Sequence, residues 1–261
     1  MGKSNRAPLD NFYSNWSKKT TTEIEHDIRV SKEKSHAALK LIEMDGIEPI
    51  NSVLDVGCGF GQNLSEVMAY TKAQYGLGCD VSHEAIVHAR RRHTTDTINF
   101  ICTSSLDIRE IITQIHENYQ ESFDLVILFD ILEHIPRPKE FIKELASISK
   151  YFLIKLPLEN TILHNYLLPL KMKTYPSSKH PDGHFWEFHV NNAHHFIVTL
   201  GLTPICFDFY KYNVETIYPE HLKPTGVKGR ILYHLLKKMH SLAGCLLPKR
   251  IFMRLFGGGG S

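Results

Sequence analysis

The chain has 261 residues, of which 43% are hydrophobic and 22% charged, and its formal net charge at pH 7 is +2. These values are typical of soluble globular chains, and a chain of this length can bury a stable core without disulfides or metal ions. The five cysteines form no Cys-x-x-Cys pair, which argues against a disulfide framework and against a zinc module. We therefore expect a cytoplasmic protein.

Apolar runs alternate with helix-like segments along most of the chain. The spacing of apolar residues predicts a first helix over 23–44. Predicted strands follow at Ser52–Val56, Gln74–Cys79, Ile98–Cys102, Phe123–Phe129, Tyr151–Leu156 and Thr203–Tyr210. Predicted helices lie at about 62–72, 83–92, 107–118, 137–149 and 190–200, with Ser82 as an N-cap and Gly201 as a helix stop. This alternation predicts an α/β fold, a doubly wound and mostly parallel sheet with helices on both faces.

The C-terminal region differs in charge from the rest of the chain. Residues 221–261 contain eight Lys and Arg and no Asp or Glu, whereas residues 1–220 carry a net charge of −6. We predict an N-terminal helix and lid over 1–45, a main domain over 46–220 and a basic helical appendage over 221–261. The aromatic residues Phe12, Tyr13 and Trp16 are the predicted lid, which would exclude water from the site below it; a hydrophobic staple that holds the N-terminus onto the core is the alternative.

The strongest functional signal is the segment Val53–Leu64, which reads Val-Leu-Asp-Val-Gly-Cys-Gly-Phe-Gly-Gln-Asn-Leu. A buried strand leads directly into Gly57, Gly59 and Gly61 and then into a helix, and glycines allow a ligand to approach the backbone closely. Asp80 ends the second strand, where a carboxylate can accept hydrogen bonds from the two hydroxyls of a ribose. The sequence therefore predicts a nucleoside-cofactor site at the carboxyl ends of the strands.

The spacing of the glycines and one nearby carboxylate narrow the choice of cofactor. Gly57-x-Gly59-x-Gly61 departs from the Gly-x-Gly-x-x-Gly pattern of dinucleotide sites. Asp55 precedes this loop, and its charge would repel a pyrophosphate but attract a cation. S-adenosylmethionine has a sulfonium, an ammonium and a ribose but no phosphate, so we predict it as the cofactor. A glycine-rich turn with a solvated aspartate is the alternative.

With these motifs, the chain resembles the class I S-adenosylmethionine-dependent methyltransferases, and within them the small-molecule branch that includes the ubiquinone-biosynthesis O-methyltransferases. The resemblance covers about 45–210 and rests on Val53–Gly61, Asp80, Phe123–Val126, Leu132–Ile135, Leu156-Pro157, Asp182–His184 and Gly201-Leu202. It implies a Rossmann-like fold with an adenine contact near Ser105 or Leu106, although the acidic residue usual in the family is missing there. The predicted cofactor-binding residues are Asp55, Gly57, Cys58, Gly59, Phe60, Gly61, Asn63, Asp80, Val81, Ser105, Leu106 and Phe129.

Two histidines are the predicted catalytic residues. Methyl transfer to a hydroxyl needs the removal of a proton, and imidazole titrates near neutral pH, so His134 and His184 are candidate general bases. A structural role for His134, in capping the segment that follows, is the alternative. The resemblance also implies a divalent cation at Asp130, Glu133 and His134, but three ligands from one turn rarely complete a site, and we predict no metal. The histidines between 180 and 195 match no zinc signature.

The sequence indicates the class of the methyl acceptor more weakly than the cofactor. We predict methyl transfer to a hydroxyl of a small molecule or glycan, such as a quinone precursor or a lipid-linked glycan, with the acceptor pocket lined by 157–195. An RNA or protein methyltransferase that docks its substrate through the basic C-terminal segment is one alternative. A non-catalytic, cofactor-binding assembly factor is another.

The basic C-terminal segment also predicts a location. Residues 228–256 are basic and amphipathic, as in segments that lie on anionic membrane surfaces. We therefore expect peripheral contact with an anionic membrane, or else a helix whose apolar face packs on the main domain. We do not expect nucleic acid as a partner, because no base-flipping or nucleic-acid methylation motif is present. No run of apolar residues is long enough to span a bilayer.

Overall fold

A computed structural model describes residues 19–43, 47, 49–105, 107–119, 122–158, 184–219, 223–248 and 258–260. The helices are α1 (Thr21–Ile42), α2 (Gln62–Thr71), α3 (His83–His93), α4 (Ile108–Asn118), α5 (Pro138–Leu145), α6 (Ala193–Thr199), α7 (Val214–Ile217) and α8 (Val227–Leu246). The strands are β1 (Ser52–Val56), β2 (Tyr75–Asp80), β3 (Ile98–Cys102), β4 (Phe123–Phe129), β5 (Ser149–Leu158), β6 (Phe209–Tyr210) and β7 (Gly258–Gly260). A short 3₁₀ turn at Leu132–His134 follows β4.

The strands form one sheet in the order β3-β2-β1-β4-β5-β7-β6. Strands β1 to β5 are parallel, and β7 pairs antiparallel with both β5 and β6. The central strands are apolar because helices cover both of their faces, and Val126, Ile127 and Leu128 of β4 are fully buried. The predicted doubly wound, mostly parallel α/β fold is confirmed.

Several predicted elements have different bounds in the structure, and two of them are markedly shorter. The helix predicted over 137–149 stops at Leu145, because Ser149 already pairs with Phe123 at the start of β5. Within the run Thr203–Tyr210, only Phe209 and Tyr210 form a strand, since the partner strand β7 has three residues. That partner is the glycine segment Gly258–Gly260, which is not among the predicted strands.

The helix signals at Ser82 and Gly201 are both confirmed. The Ser82 side chain accepts a hydrogen bond from the backbone N–H of Ala85 at the start of α3. Gly201 follows α6 with φ of +88°, the left-handed conformation in which glycine commonly ends a helix.

Helix α1 covers the junction between the glycine loop and α2. It starts with a capping box, in which the side chains and backbone of Thr20 and Glu23 exchange hydrogen bonds. The hydroxyl of Ser35 in α1 donates a hydrogen bond to Oδ1 of Asn63 over 3.0 Å, and both side chains are buried. The predicted N-terminal helix is therefore attached to the first turn of α2. The predicted lid residues Phe12, Tyr13 and Trp16 lie outside the described residues.

Candidate active site

A cavity of about 600 Å³ opens at the carboxyl ends of β1 and β4. The strand order reverses between these two strands, which is where open α/β sheets bind their ligands. The volume lies within the range of small-molecule sites. Predicted site residues that line the cavity are Gly57, Cys58, Gly59, Phe60, Asn63, Asp80, Phe129, His134 and His184.

The glycine loop has a backbone conformation that would be strained for residues other than glycine. Gly57, Gly59 and Gly61 have φ values of +78°, +52° and +77°. A Cβ atom at Gly57 would lie 2.0 Å from Cδ1 of Ile131, and one at Gly61 would lie 2.6 Å from the ring of Phe100. Gly61 does not line the cavity; it packs against β3 and precedes the first turn of α2. The loop therefore brings bare backbone to the floor of the cavity.

Asp80 lies at the cavity with its carboxylate held in a fixed orientation. Its two oxygens accept hydrogen bonds from the backbone N–H groups of Gly59, at 2.9 Å, and Ser82, at 2.8 Å. Burial raises the pKa of Asp80, while these two N–H groups oppose that rise. A carboxylate fixed in this way beside the glycine loop can accept hydrogen bonds from the hydroxyls of a ribose.

Asp55 lies behind the loop rather than in the cavity wall. Its side chain is 1% exposed, in strand β1, two residues before Gly57. Burial and the nearby charge of Asp80 raise the pKa of Asp55 to about 8, and the backbone of Leu64 opposes this in part. A cation bound in the cavity would favour the ionised form of this carboxyl group.

The predicted adenine contacts are the least supported part of the site. Ser105 is half-buried, donates its hydroxyl to Glu110 over 2.6 Å and does not line the cavity. Val81 follows Asp80 but is also not in the cavity wall, and its carbonyl accepts a contact from the thiol of Cys102. Leu106 lies outside the described residues. The adenine contact stays a prediction.

The two candidate bases lie together in the wall of the cavity. The ring centroids of His134 and His184 are 4.6 Å apart in an edge-to-face arrangement. They meet because the segment after His184 docks on the 3₁₀ turn: the N–H of Phe185 donates to the carbonyl of Glu133 over 2.7 Å, and the indole of Trp186 donates to the carbonyl of Ile135. The sequence singled out both histidines but gave no indication that they are neighbours.

A charged cluster that the sequence analysis missed lies beside the histidines. Asp130, at φ of +55°, forms ion pairs with Lys155 of β5 and, over 2.6 Å, with Lys34 of α1. Burial would raise the pKa of Asp130, but the two lysines hold it below its ordinary value. Lys155 is 3% exposed and lies 5.7 Å from the ring centre of Tyr212. A lysine inside the apolar strand Phe-Leu-Ile-Lys-Leu was the sequence signal for this cluster.

The geometry revises the set of metal ligands that the family resemblance implied. Both oxygens of Asp130 are engaged by lysines, so this residue is a poor ligand for a cation. Within the described part of the chain, Glu133, His134 and His184 instead bring one ligand atom each to within 4.8 Å of one another. A carboxylate and two imidazoles are a donor set that suits zinc and other divalent transition metals.

A comparison with protein-family models identifies the family. The model for the methyltransferase domain matches residues 25–202, which is more than half of the chain. The chain therefore belongs to the methyltransferase domain family, and the prediction of a class I S-adenosylmethionine-dependent methyltransferase is confirmed, as is its cofactor.

Curated relatives and solved structures agree with this family. The chain is 33% identical over 98 residues to a ubiquinone biosynthesis O-methyltransferase of Glaesserella parasuis, covering 38% of this chain and 40% of that one. It is 29% identical over 141 residues to the enzyme of that name from Neisseria meningitidis, covering 52% of each chain. The chain thus spans about half the length of these relatives or less. A SAM-dependent methyltransferase of Archaeoglobus fulgidus has a similar fold, with a TM-score of 0.52 and 17% identity over 93% of this chain and 97% of that one.

Proposed function

We propose that the chain transfers the methyl group of S-adenosylmethionine to a hydroxyl of a small molecule. The observation that carries this proposal is that the neighbouring His134 and His184 line the same cavity as Gly57, Gly59 and Asp80. Its support in the comparisons is the likeness to ubiquinone biosynthesis O-methyltransferases. A phenolic hydroxyl, as in a quinone precursor, is the acceptor class that we favour over a glycan.

The residues around the glycine loop would hold and orient the donor. Asp80 would accept the ribose hydroxyls, and Gly57 and Gly59 would let the nucleoside approach the backbone. The carboxylate of Asp55, which lies behind the loop, would stabilise the positive charge of the bound donor. Fixing the donor and acceptor in line supplies much of the rate of such a displacement.

The histidines would prepare the acceptor. A ring nitrogen of His134 or His184 takes the proton of the hydroxyl as its oxygen attacks the methyl carbon. The bond between that carbon and the sulfonium sulfur breaks, and sulfur keeps the electron pair as S-adenosylhomocysteine forms. Glu133 and His134 are 1% and 6% exposed, so solvent has little access to these two groups.

A divalent cation is compatible with the same group of residues. Glu133, His134 and His184 would hold it, and when bound it would lower the pKa of a substrate hydroxyl as a Lewis acid. In that case the two histidines act as ligands and the hydroxyl loses its proton to solvent or to another group. Assays in the presence and absence of a chelator distinguish this arrangement from direct base catalysis.

An assay of donor turnover against a panel of acceptors tests the proposal. We expect formation of S-adenosylhomocysteine with catechols and other phenols, and a product that mass spectrometry shows to be methylated on oxygen. Lipid-linked glycans, bulk RNA and a basic protein complete the panel. Turnover with RNA or protein alone would replace the small-molecule proposal, and donor binding without turnover on any acceptor would favour a non-catalytic assembly factor.

The raised pKa of Asp55 predicts a pH dependence of donor binding. Without a cofactor, the Asp55 carboxyl group is largely protonated below pH 8, so binding of the cationic donor must displace the proton of Asp55. Donor affinity should therefore rise by up to about tenfold per pH unit until about pH 8. The stability of the cofactor-free protein should change in the opposite direction. Because folding raises the pKa of Asp55 from 3.8 to about 8, the contribution of Asp55 to the free energy of unfolding falls as the pH rises towards 8.

Isothermal titration calorimetry at pH 6, 7 and 8 measures this effect. The Asp55→Asn variant is the matched control, because it keeps the side-chain shape but has no proton to release. An equal pH dependence in the wild type and in Asp55→Asn would show that another group titrates.

A further inference from the structure

Helix α8 has two apolar faces, and only one of them packs on the protein. On the inner face, the hydroxyl of Tyr233 donates to the carbonyl of Pro219 over 2.6 Å, and Lys237 pairs with Glu215 over 2.6 Å. The ring of His240 is 3% exposed and contacts Tyr218, and Ala243 packs against the main core. The inner face therefore explains the packing role that the sequence analysis kept as an alternative.

The outer face presents an apolar stripe that this packing does not explain. Its residues recur at intervals of three and four, which places them along one side of the helix. They are between 42% and 70% exposed: Val227, Ile231, Leu235, Met239, Leu242 and Leu246. We refer to these six residues as the outer stripe. Contiguous exposed apolar surface of this kind marks an interaction site.

The charges around the outer stripe are of one sign. Lys228, Arg230 and Lys238 are exposed on the same helix, and residues 221–261 contain no acidic residue. The remainder of the chain, by contrast, carries a net charge of −6. An anionic surface would therefore attract this helix and repel the rest of the molecule, which fixes the orientation in which the protein approaches.

We propose that the outer stripe of α8 is a docking surface for an anionic membrane. Helices that lie in the membrane interface combine an apolar face with lysine and arginine, and their binding depends on anionic lipid. A two-fold pairing of α8 with a second copy would bring Lys228, Arg230 and Lys238 of both copies together, so the charge pattern favours lipid over a dimer. No helix in the described ranges is long and apolar enough to cross a bilayer.

Cosedimentation with vesicles tests this docking surface. The full chain should bind vesicles that contain phosphatidylglycerol and bind vesicles of phosphatidylcholine weakly, with binding reduced by added salt. The double variant Ile231→Gln/Leu235→Gln should lose about tenfold or more in apparent affinity, because two exposed apolar side chains no longer enter the interface. Lys228→Gln/Lys238→Gln should lose about fivefold for each lysine.

The matched control changes two exposed apolar residues elsewhere. Val198 and Ile205 are 46% and 54% exposed, and Val198→Gln/Ile205→Gln should bind vesicles as the wild type does. Circular dichroism should be unchanged in all variants, because the outer stripe makes little contact with the core. Equal vesicle binding by the outer-stripe variant would overturn the proposal. So would the absence of binding to anionic vesicles, or a wild-type dimer in light scattering that the outer-stripe variant abolishes.

Discussion

Replacing His134 with alanine should lower kcat by about 10²–10⁴-fold and leave the affinity for S-adenosylmethionine nearly unchanged. The imidazole is 6% exposed and lines the cavity, and it makes no hydrogen bond to Asp80 among those described, so its loss removes the proposed proton acceptor and leaves the proposed ribose contact in place. Steady-state kinetics with the best acceptor of the panel and calorimetry with the donor measure the two quantities separately.

Two further variants make the result specific. His184→Ala tests the second ring, which lies 4.6 Å from the first, and should also reduce kcat. The exposed His116→Ala, on α4, should behave as the wild type. A kcat of His134→Ala within about twofold of the wild type would contradict a role for this residue in proton removal, because such a role contributes at least about a hundredfold.

The second large effect concerns stability. Asp130→Asn should destabilise the protein by about 3–5 kcal/mol, because it leaves the buried ammonium of Lys155 without its counter-ion. This figure is an upper range, since the Asp130 side chain is 23% exposed and solvent screens part of the interaction. Urea denaturation followed by circular dichroism gives the free energy of unfolding.

A double variant separates the ion pair from other effects of the substitution. Asp130→Asn/Lys155→Met removes both charges and should recover much of the lost stability. The exposed pair Arg137 and Glu140 is the control: Glu140→Gln should cost less than about 1 kcal/mol. If Asp130→Asn were no more destabilising than Glu140→Gln, the pair would be too well solvated to organise this side of the site.

The sheet and the glycine loop could be predicted from the sequence because local patterns determine them. Strands β1, β3 and β4 have the bounds that their mostly apolar runs indicate, since strands buried on both faces consist largely of apolar residues. The glycine loop could be predicted equally well, because Gly57 and Gly61 have positive φ values and no room for a Cβ atom. Asp80 followed from its place at the end of β2.

Features that depend on distant parts of the chain could not be predicted. His184 reaches His134 through hydrogen bonds from Phe185 and Trp186 to the 3₁₀ turn about fifty residues earlier, and no local pattern encodes that contact. The cluster of Lys34, Asp130 and Lys155 joins three separate elements in the same way. Strand β7 consists of glycines, which have low strand propensity and pair here because β5 and β6 lie on either side.

The two sides of the C-terminal helix α8 were predicted in part. Composition alone indicated a basic amphipathic segment over 228–256 and left open whether its apolar residues pack inward or face outward. The structure describes 228–248 of that segment and shows both arrangements on one helix, with His240 buried and Leu246 70% exposed. Sequence periodicity could not separate the two faces because each of them is apolar.

The central claim is that the cavity beside Asp80 binds a positively charged methyl donor. Calorimetric titration of the purified chain with S-adenosylmethionine, and separately with NAD, tests it most directly. We predict one donor site and no NAD binding, with donor affinity lower by about 1–3 kcal/mol in Asp80→Ala and unchanged in the exposed control Asp96→Ala. Donor affinity unaffected by Asp80→Ala, or NAD bound in place of the donor, would contradict the account.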